Sequence, residues 1–214
     1  MTKQAEYYDR DRAGFLDWVG GQHQRILDVG CGAGSNAPWY RRHGAREIVG
    51  IEVDAQSAEH AATRFDRVVM EPVETAISQL DGPFDLIVCA DVLEHLVDPW
   101  TVVDELRRLS GPSTILAVSM PNIRFIGAIA RIAIGSGFRY EEEGIFDWTH
   151  LRFFTRGDLD RLLSKGGWMP ARRGAQHYGR FTPARSLAGR VTRGWTDQWL
   201  AEQQFVVARL NPAG

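Results

Sequence analysis

Ile26-Leu27-Asp28-Val29-Gly30-Cys31-Gly32-Ala33-Gly34 is a short apolar run that ends in three glycines at alternate positions. Ile26 to Val29 read as a buried strand, Gly30, Gly32 and Gly34 as a tight turn, and Asn36 to Arg42 as the opening of a helix. Glycine is needed where the chain turns sharply or a ligand approaches the backbone, because a Cβ would collide. A strand, a glycine turn and a helix N-terminus together form a nucleotide-sized site.

The spacing narrows the ligand. A dinucleotide fingerprint places its third glycine five positions after the first. Here that glycine comes one position early, and Ser35 stands where the fingerprint wants glycine. Asp28 precedes the turn, where an acid suits a ligand with a positive group, such as the amino and sulfonium groups of S-adenosylmethionine. A structural turn without a ligand is the plain alternative. Glu47 to Asp54 read as a second strand ending in acids. An acid roughly twenty residues beyond a glycine turn is placed to bind a ribose diol, through the stronger, charge-assisted kind of hydrogen bond. Glu52 is the first choice and Asp54 the second. Asp54 also reads as the N-cap of a helix over 55–64.

These stretches, followed by Phe84-Asp85-Leu86-Ile87-Val88-Cys89-Ala90-Asp91-Val92-Leu93-Glu94-His95-Leu96, resemble a class I S-adenosylmethionine-dependent methyltransferase over residues 20 to 120. Gly144-Ile145-Phe146-Asp147-Trp148-Thr149-His150-Leu151-Arg152-Phe153-Phe154-Thr155 resembles a small bacterial subgroup found in glycan and secondary-metabolite biosynthesis. The resemblance implies a cofactor site at the strand ends: Asp28, Gly30, Cys31, Gly32 and Gly34, then Glu52, Val53 and Asp54, then Cys89, Ala90 and Asp91. Asp91 would lie at the methionine end or cap the following turn. Family members usually place an Asp where Pro72 stands, to accept from the adenine amine. Glu71 or the backbone of Val73 is expected to substitute. A tyrosine of the leading helix, Tyr8, would close over the cofactor, or pack with Phe15, Leu16 and Val19 on one apolar face.

Along the chain, strands near 25–30, 47–52, 67–70, 84–89 and 114–119 alternate with helices near 36–42, 56–64, 73–80 and 99–109. This pattern implies an α/β, Rossmann-like doubly wound sheet with helices on both faces. Residues 1–20 form a leading helix, 21–120 the cofactor core, 121–154 a lid or acceptor insertion, and 155–214 the completion of the sheet, all as one methyltransferase domain. Thr155, with Asp158 three positions on, reads as the cap of a helix over 155–165. Residues 168–178 and 204–210 read as late strands, the last antiparallel.

The 214 residues carry a net charge of −2, which names no partner. The two cysteines, Cys31 and Cys89, have no metal-site spacing and read as reduced cytoplasmic thiols, so no metal is expected. Residues 1–20 carry acids and no apolar core, unlike a signal peptide. The longest apolar run, 125–138, contains Arg131 and is too short to span a membrane.

Methyl transfer is an in-line displacement that needs the nucleophile about 3 Å from the methyl carbon. A hydroxyl acceptor gains roughly 10²–10⁴-fold from a base. His150 and His95 are the candidates, because histidine titrates near neutrality, and Asp147 is placed to orient His150. The competing readings are a lid-anchoring hydrogen bond for His150 and a helix start for His95. In the insertion, Phe125, Ile129 and Ile132 share a helical stripe. It reads as a lid with an apolar underside, against a homodimer face, a membrane-surface contact or plain packing. From Arg161 to Thr196 there is no acid, while Arg161, Lys165, Arg172, Arg173, Arg180, Arg185, Arg190 and Arg193 are basic. An anionic acceptor such as a nucleotide-linked sugar is one explanation, and a solvated helix face is another. Nucleic acid is not expected, for want of a reader motif and of overall positive charge.

The sequence thus reads as a methyltransferase acting on an oxygen of a small molecule or sugar. An amine N-methyltransferase, a nicotinamide oxidoreductase and a binding protein without catalysis are the alternatives.

Overall fold

The computed structural model describes residues 12–135, 137–178 and 182–211. Seven strands form one sheet in the order β3-β2-β1-β4-β5-β7-β6. These are β1 (Arg25–Val29), β2 (Glu47–Ile51), β3 (Arg67–Val69), β4 (Phe84–Ala90), β5 (Ser110–Pro121), β6 (Trp168–Gln176) and β7 (Gln203–Leu210). The first five are parallel, and β7 runs antiparallel to both of its neighbours. This is the Rossmann-like methyltransferase fold expected from the sequence.

The central strands are short apolar runs because both of their faces are covered. Side chains alternate across the sheet. Leu27, Val29, Ile87, Leu116 and Val206 enter one core. Ile26, Ile48, Leu86, Val88 and Phe205 enter the other. The first core packs against α4 (Val73–Ala76), α5 (Pro99–Glu105) and α7 (Arg156–Lys165); the second packs against α1 (Ala13–Val19) and α2 (Ala37–Arg42). Between β2 and β3 runs α3 (Ala55–Ala62). The chain reverses direction across the sheet between β1 and β4, and this opens a crevice at their carboxyl ends.

Several elements differ from expectation. The helix expected over 73–80 is a four-residue α4 followed by a 3₁₀ turn at Ile77–Gln79, and the one over 99–109 ends in a 3₁₀ turn at Leu106–Leu109. β5 is twice the expected length: at its start Ser110 pairs with Phe84 of β4, and at its end Met120 and Pro121 pair with Gln204 and Gln203 of β7. Two helices had no clear signal in the sequence: α8 (Thr182–Val191) and α9 (Asp197–Leu200). The capping box of Thr155 and Asp158 at the start of α7 is present as read. Residues 121–154 contain α6 (Ile126–Ile134), whose Ala128 is buried while Ile126, Ile132 and Ile134 are exposed. Ile132 therefore leaves the apolar stripe on which the sequence placed it.

Candidate active site

A cavity of about 380 Å³ opens at the carboxyl ends of β1, β2 and β4. The glycine turn forms its floor through Gly30, Cys31 and Gly32. Gly30 has a φ of +67°, and a Cβ there would lie 2.4 Å from Cγ2 of Val92, so a side chain is excluded on both counts. The turn is held from the next strand. The backbone N–H of Gly30 and of Cys31 donate to the carbonyl of Ile51 at 2.8 and 3.0 Å. Gly32 N–H donates to Oε2 of Glu52 at 2.9 Å. Oε1 of Glu52 accepts from the N–H groups of Val53 and Asp54 at 2.8 and 2.9 Å. Glu52 is thus a buried carboxylate oriented by three backbone donors, on the cavity wall with Val53.

The cavity has two unlike ends. Glu71, Pro72, Val73 and Glu74 line the one beyond β3. The other is lined by Ala90, Asp91, Val92, His95, Leu96, Val97 and, from the 121–154 segment, Thr149. Arg12, just before α1, closes over this side and pairs with Asp91 at 2.6 Å. Asp91 has a φ of +57°, unusual for a residue with a side chain. It is fixed there by Ser119 Oγ, which donates to it at 2.9 Å, and by the side chain of Gln203. Sequence reading missed Arg12, for an isolated arginine before a helix has no distinguishing spacing. It also missed the apolar wall of Val92, Leu96 and Val97, although their run directly after β4 was a usable signal.

Several expected residues lie outside the cavity lining. Asp28 is buried beneath the turn, where it accepts from Tyr40 Oη at 2.7 Å and Asn36 Nδ2 at 3.3 Å. Burial raises its pKa to about 6, against the lowering effect of those two bonds. Its place is that of a brace for the turn. Asp54 caps α3 by accepting from Ser57 N–H at 2.9 Å, the alternative the sequence allowed. Gly34 supports the turn from behind with a φ of +77°. Cys89 is a buried thiol, as is Cys31 on the cavity floor, and burial drives the pKa of both upward. Tyr8 lies outside the described residues.

The two histidines meet. His95 and His150 rings lie 4.8 Å apart, edge to face, but of the two only His95 lines the cavity. Asp147 Oδ1 accepts from the N–H and the hydroxyl of Thr149 at 2.8 and 2.7 Å. The one hydroxyl proton of Thr149 is thereby used, so its oxygen accepts from Nδ1–H of His95, 3.0 Å away. Asp147 thus orients His95 through Thr149, where the sequence reading had placed it to orient His150. His150 Nδ1 lies 3.0 Å from the carbonyl of Ile145. The segment is tied to the core beside these rings, because Leu151 and Arg152 N–H donate to the carbonyl of Glu94 at 2.9 and 3.0 Å.

Four of the basic C-terminal residues are engaged elsewhere, and Arg180 lies outside the described residues. Arg161 pairs with Asp158, Arg173 with Asp160 and Arg185 with Glu202. Arg172 stacks on the Trp18 ring and binds the Val19 carbonyl at 2.8 Å. Among the described residues, none of them lines the cavity.

A glycine turn at the switch point of a doubly wound sheet, with a buried acid at the end of the next strand, defines a Rossmann-like nucleotide-binding architecture. Residues 2–191 match the family model of the methyltransferase domain, and the chain belongs to that family. It is an S-adenosylmethionine-dependent methyltransferase. Among curated relatives, a ubiquinone biosynthesis O-methyltransferase of Cereibacter sphaeroides is 30% identical over 183 residues, covering 81% of this chain and 70% of the relative. Its counterpart in Psychrobacter arcticus is 26% identical, covering 78% and 68%. Among solved structures, a SAM-dependent methyltransferase of Archaeoglobus fulgidus superposes with a TM-score of 0.65 at 16% identity, covering 96% of this chain and 94% of that one.

Proposed function

We propose that the protein transfers the methyl group of S-adenosylmethionine to a hydroxyl oxygen of a neutral, largely apolar small molecule. The observation that carries this reading is the make-up of the β4 end of the cavity. Val92, Leu96 and Val97 form an apolar wall there, His95 and Thr149 supply the polar groups, and Arg12, the arginine among the described lining residues, is already paired with Asp91. Such a wall suits an uncharged ring or chain, while the histidine corner suits a hydroxyl that must lose a proton. The names of the relatives point the same way, to O-methylation in a biosynthetic route.

The cofactor would lie along the floor, its ribose on Glu52 and its adenine between Val53 and Pro72–Val73. Its methionine part would lie beside Gly30, Asp91 and Arg12, with the methyl toward His95. Glu71, whose Oε2 accepts from Gln79 at 2.8 Å, or the backbone of Val73 would meet the adenine amine. Residues 121–154 would act as a lid, since they bring Thr149 to the cavity and rest on Glu94. His95 would activate the hydroxyl, with Asp147 and Thr149 fixing its tautomer and His150 behind it. No helix among the described residues is long and apolar enough to cross a membrane, and buried thiols suit the reducing cytoplasm.

The test is a comparison of neutral hydroxylated aromatics with their phosphorylated counterparts, using labelled S-adenosylmethionine. Transfer to the neutral set with little salt dependence supports the reading. A preference for the phosphorylated set, weakened by salt, would contradict it.

A further inference from the structure

A smaller cavity, of about 60 Å³, lies apart from the cofactor cavity, and among the described residues the two share no lining side chain. It is several times larger than one water needs. Three arginines line it: Arg156 from the first position of α7, Arg173 from β6 and Arg193 from the turn after α8. The lining sets one acid against them, Asp197, whose Oδ1 lies 3.2 Å from Nε2 of His177. Arg173 gives its Nε and Nη2 to Asp160, and Arg156 gives Nη1 to the carbonyl of Gly194 at 3.1 Å. The guanidinium of Arg193 has neither an ion pair nor a hydrogen bond among the described residues.

Gln204 lines the same cavity. Its side chain is buried, and Oε1 has no hydrogen-bond partner. Turning the amide over brings no relief. Nε2 faces the carbonyls of Pro121 and Phe154 at 3.5 and 3.3 Å, and an oxygen in its place would oppose both. A buried acceptor without a donor is costly. The cavity therefore suits an occupant that is anionic toward the arginines and carries a proton for Gln204. Inorganic phosphate keeps such a proton throughout the neutral range. Sulfate has none, and a phosphate monoester has lost most of its own above about pH 6.

The cavity also lies at the base of the 121–154 segment. Asn122 lines it and bridges to Phe154, and Gln204 donates to the carbonyl at each end of the segment. We propose that this cavity binds one inorganic phosphate, held by Arg156, Arg173 and Arg193 and donating its hydroxyl to Gln204, and that the bound anion braces the base of the segment. The planar fork of arginine matches phosphate oxygens. The site stands apart from cofactor and acceptor, so the proposal is independent of the O-methylation reading.

The experiment is calorimetric titration of the phosphate-free full chain, at pH 8 and constant ionic strength, with inorganic phosphate, methyl phosphate and sulfate. One phosphate per chain is expected, with affinity unchanged by S-adenosylhomocysteine, and methyl phosphate and sulfate should bind more than fivefold more weakly. Arg193→Asn keeps a residue that tolerates the φ of +51° at this position. That variant and Arg156→Gln should each weaken phosphate binding by more than fivefold. Their folding is checked by S-adenosylmethionine affinity within threefold of the unaltered protein. Absence of stoichiometric phosphate binding, competition by S-adenosylhomocysteine, or undiminished binding in both folded variants would overturn the site. Equal binding of sulfate would overturn the part given to Gln204. Saturating phosphate should also slow hydrogen exchange of the Ile123 and Arg124 amides, which bond to the Phe154 carbonyl and to Asn122 Oδ1; unchanged exchange there would overturn the bracing.

Discussion

The guanidinium of Arg12 meets the carboxylate of Asp91 at 2.6 Å, joining the residue that precedes α1 to the end of β4 across the cavity. Both residues line that cavity. The pair therefore ties the residue that precedes α1 to the cavity itself. Removing one partner leaves the other partly buried and uncompensated. Arg12→Ala is expected to weaken S-adenosylmethionine binding by more than tenfold and to cost about 1–2 kcal/mol of stability, a range reduced for partial exposure. A double-mutant cycle with Asp91→Ala should show non-additive losses. Additive losses in calorimetric titrations would contradict the coupling.

Glu52 serves two masters, since its carboxylate fixes the glycine turn through Gly32 and presents its face to the cavity. Glu52→Ala is expected to weaken cofactor binding by about 1.5–3 kcal/mol, the range for charge-assisted hydrogen bonds. Asp54→Ala should instead lower stability through loss of the α3 cap, by about 1 kcal/mol, seen as a lower melting temperature with affinity nearly unchanged. The reverse pattern would move the ribose contact to Asp54.

Asp28 gives the protein a pH signature. Its pKa is raised from 3.8 to about 6 by burial. Between those values the folded chain holds a proton that the unfolded chain has released, so stability falls as pH rises through this window. The loss approaches about 3 kcal/mol above pH 6, an order-of-magnitude figure. Asp28→Asn keeps an acceptor for Tyr40 and should remove this contribution. Melting temperatures of the two proteins, measured from pH 4 to 7, should diverge with the variant gaining at the upper end. Parallel curves would show that Asp28 titrates normally.

The floor of the cavity was legible in the sequence, and its β4 end was largely not. The glycine turn, Glu52 and Asp91 are read from local spacing, because strand ends in a parallel sheet are consecutive landmarks. The Asp147–Thr149–His95 relay is formed by residues far apart in the chain, and no periodicity reports it. The basic run from Arg161 onward misled for a related reason: Asp160 and Glu202, which pair with Arg173 and Arg185, lie outside the run and are brought to them by folding. Helix α8 was missed because Pro183 and Gly189 interrupt its pattern, and α9 because a single turn of four residues carries no periodicity.

Arg172 separates a structural from a substrate role. It stacks on Trp18 and binds the end of α1. Arg172→Ala should lower the melting temperature while the acceptor KM stays within twofold at low and high salt. A salt-dependent rise in KM would restore the anionic acceptor.

The relay gives a kinetic prediction. His95→Ala should lower kcat by more than tenfold with S-adenosylmethionine affinity within threefold, and Thr149→Val should lower it less. Equal kcat in His95→Ala would place activation of the hydroxyl elsewhere.

The central claim is methyl transfer from S-adenosylmethionine to a hydroxyl oxygen. Incubation with methyl-¹³C-labelled S-adenosylmethionine and a neutral acceptor that carries both a hydroxyl and an amine, read by carbon NMR, tests it most directly. The account predicts one labelled O-methyl resonance that disappears with Glu52→Ala. Label on nitrogen, or label that persists undiminished in that variant, would contradict it.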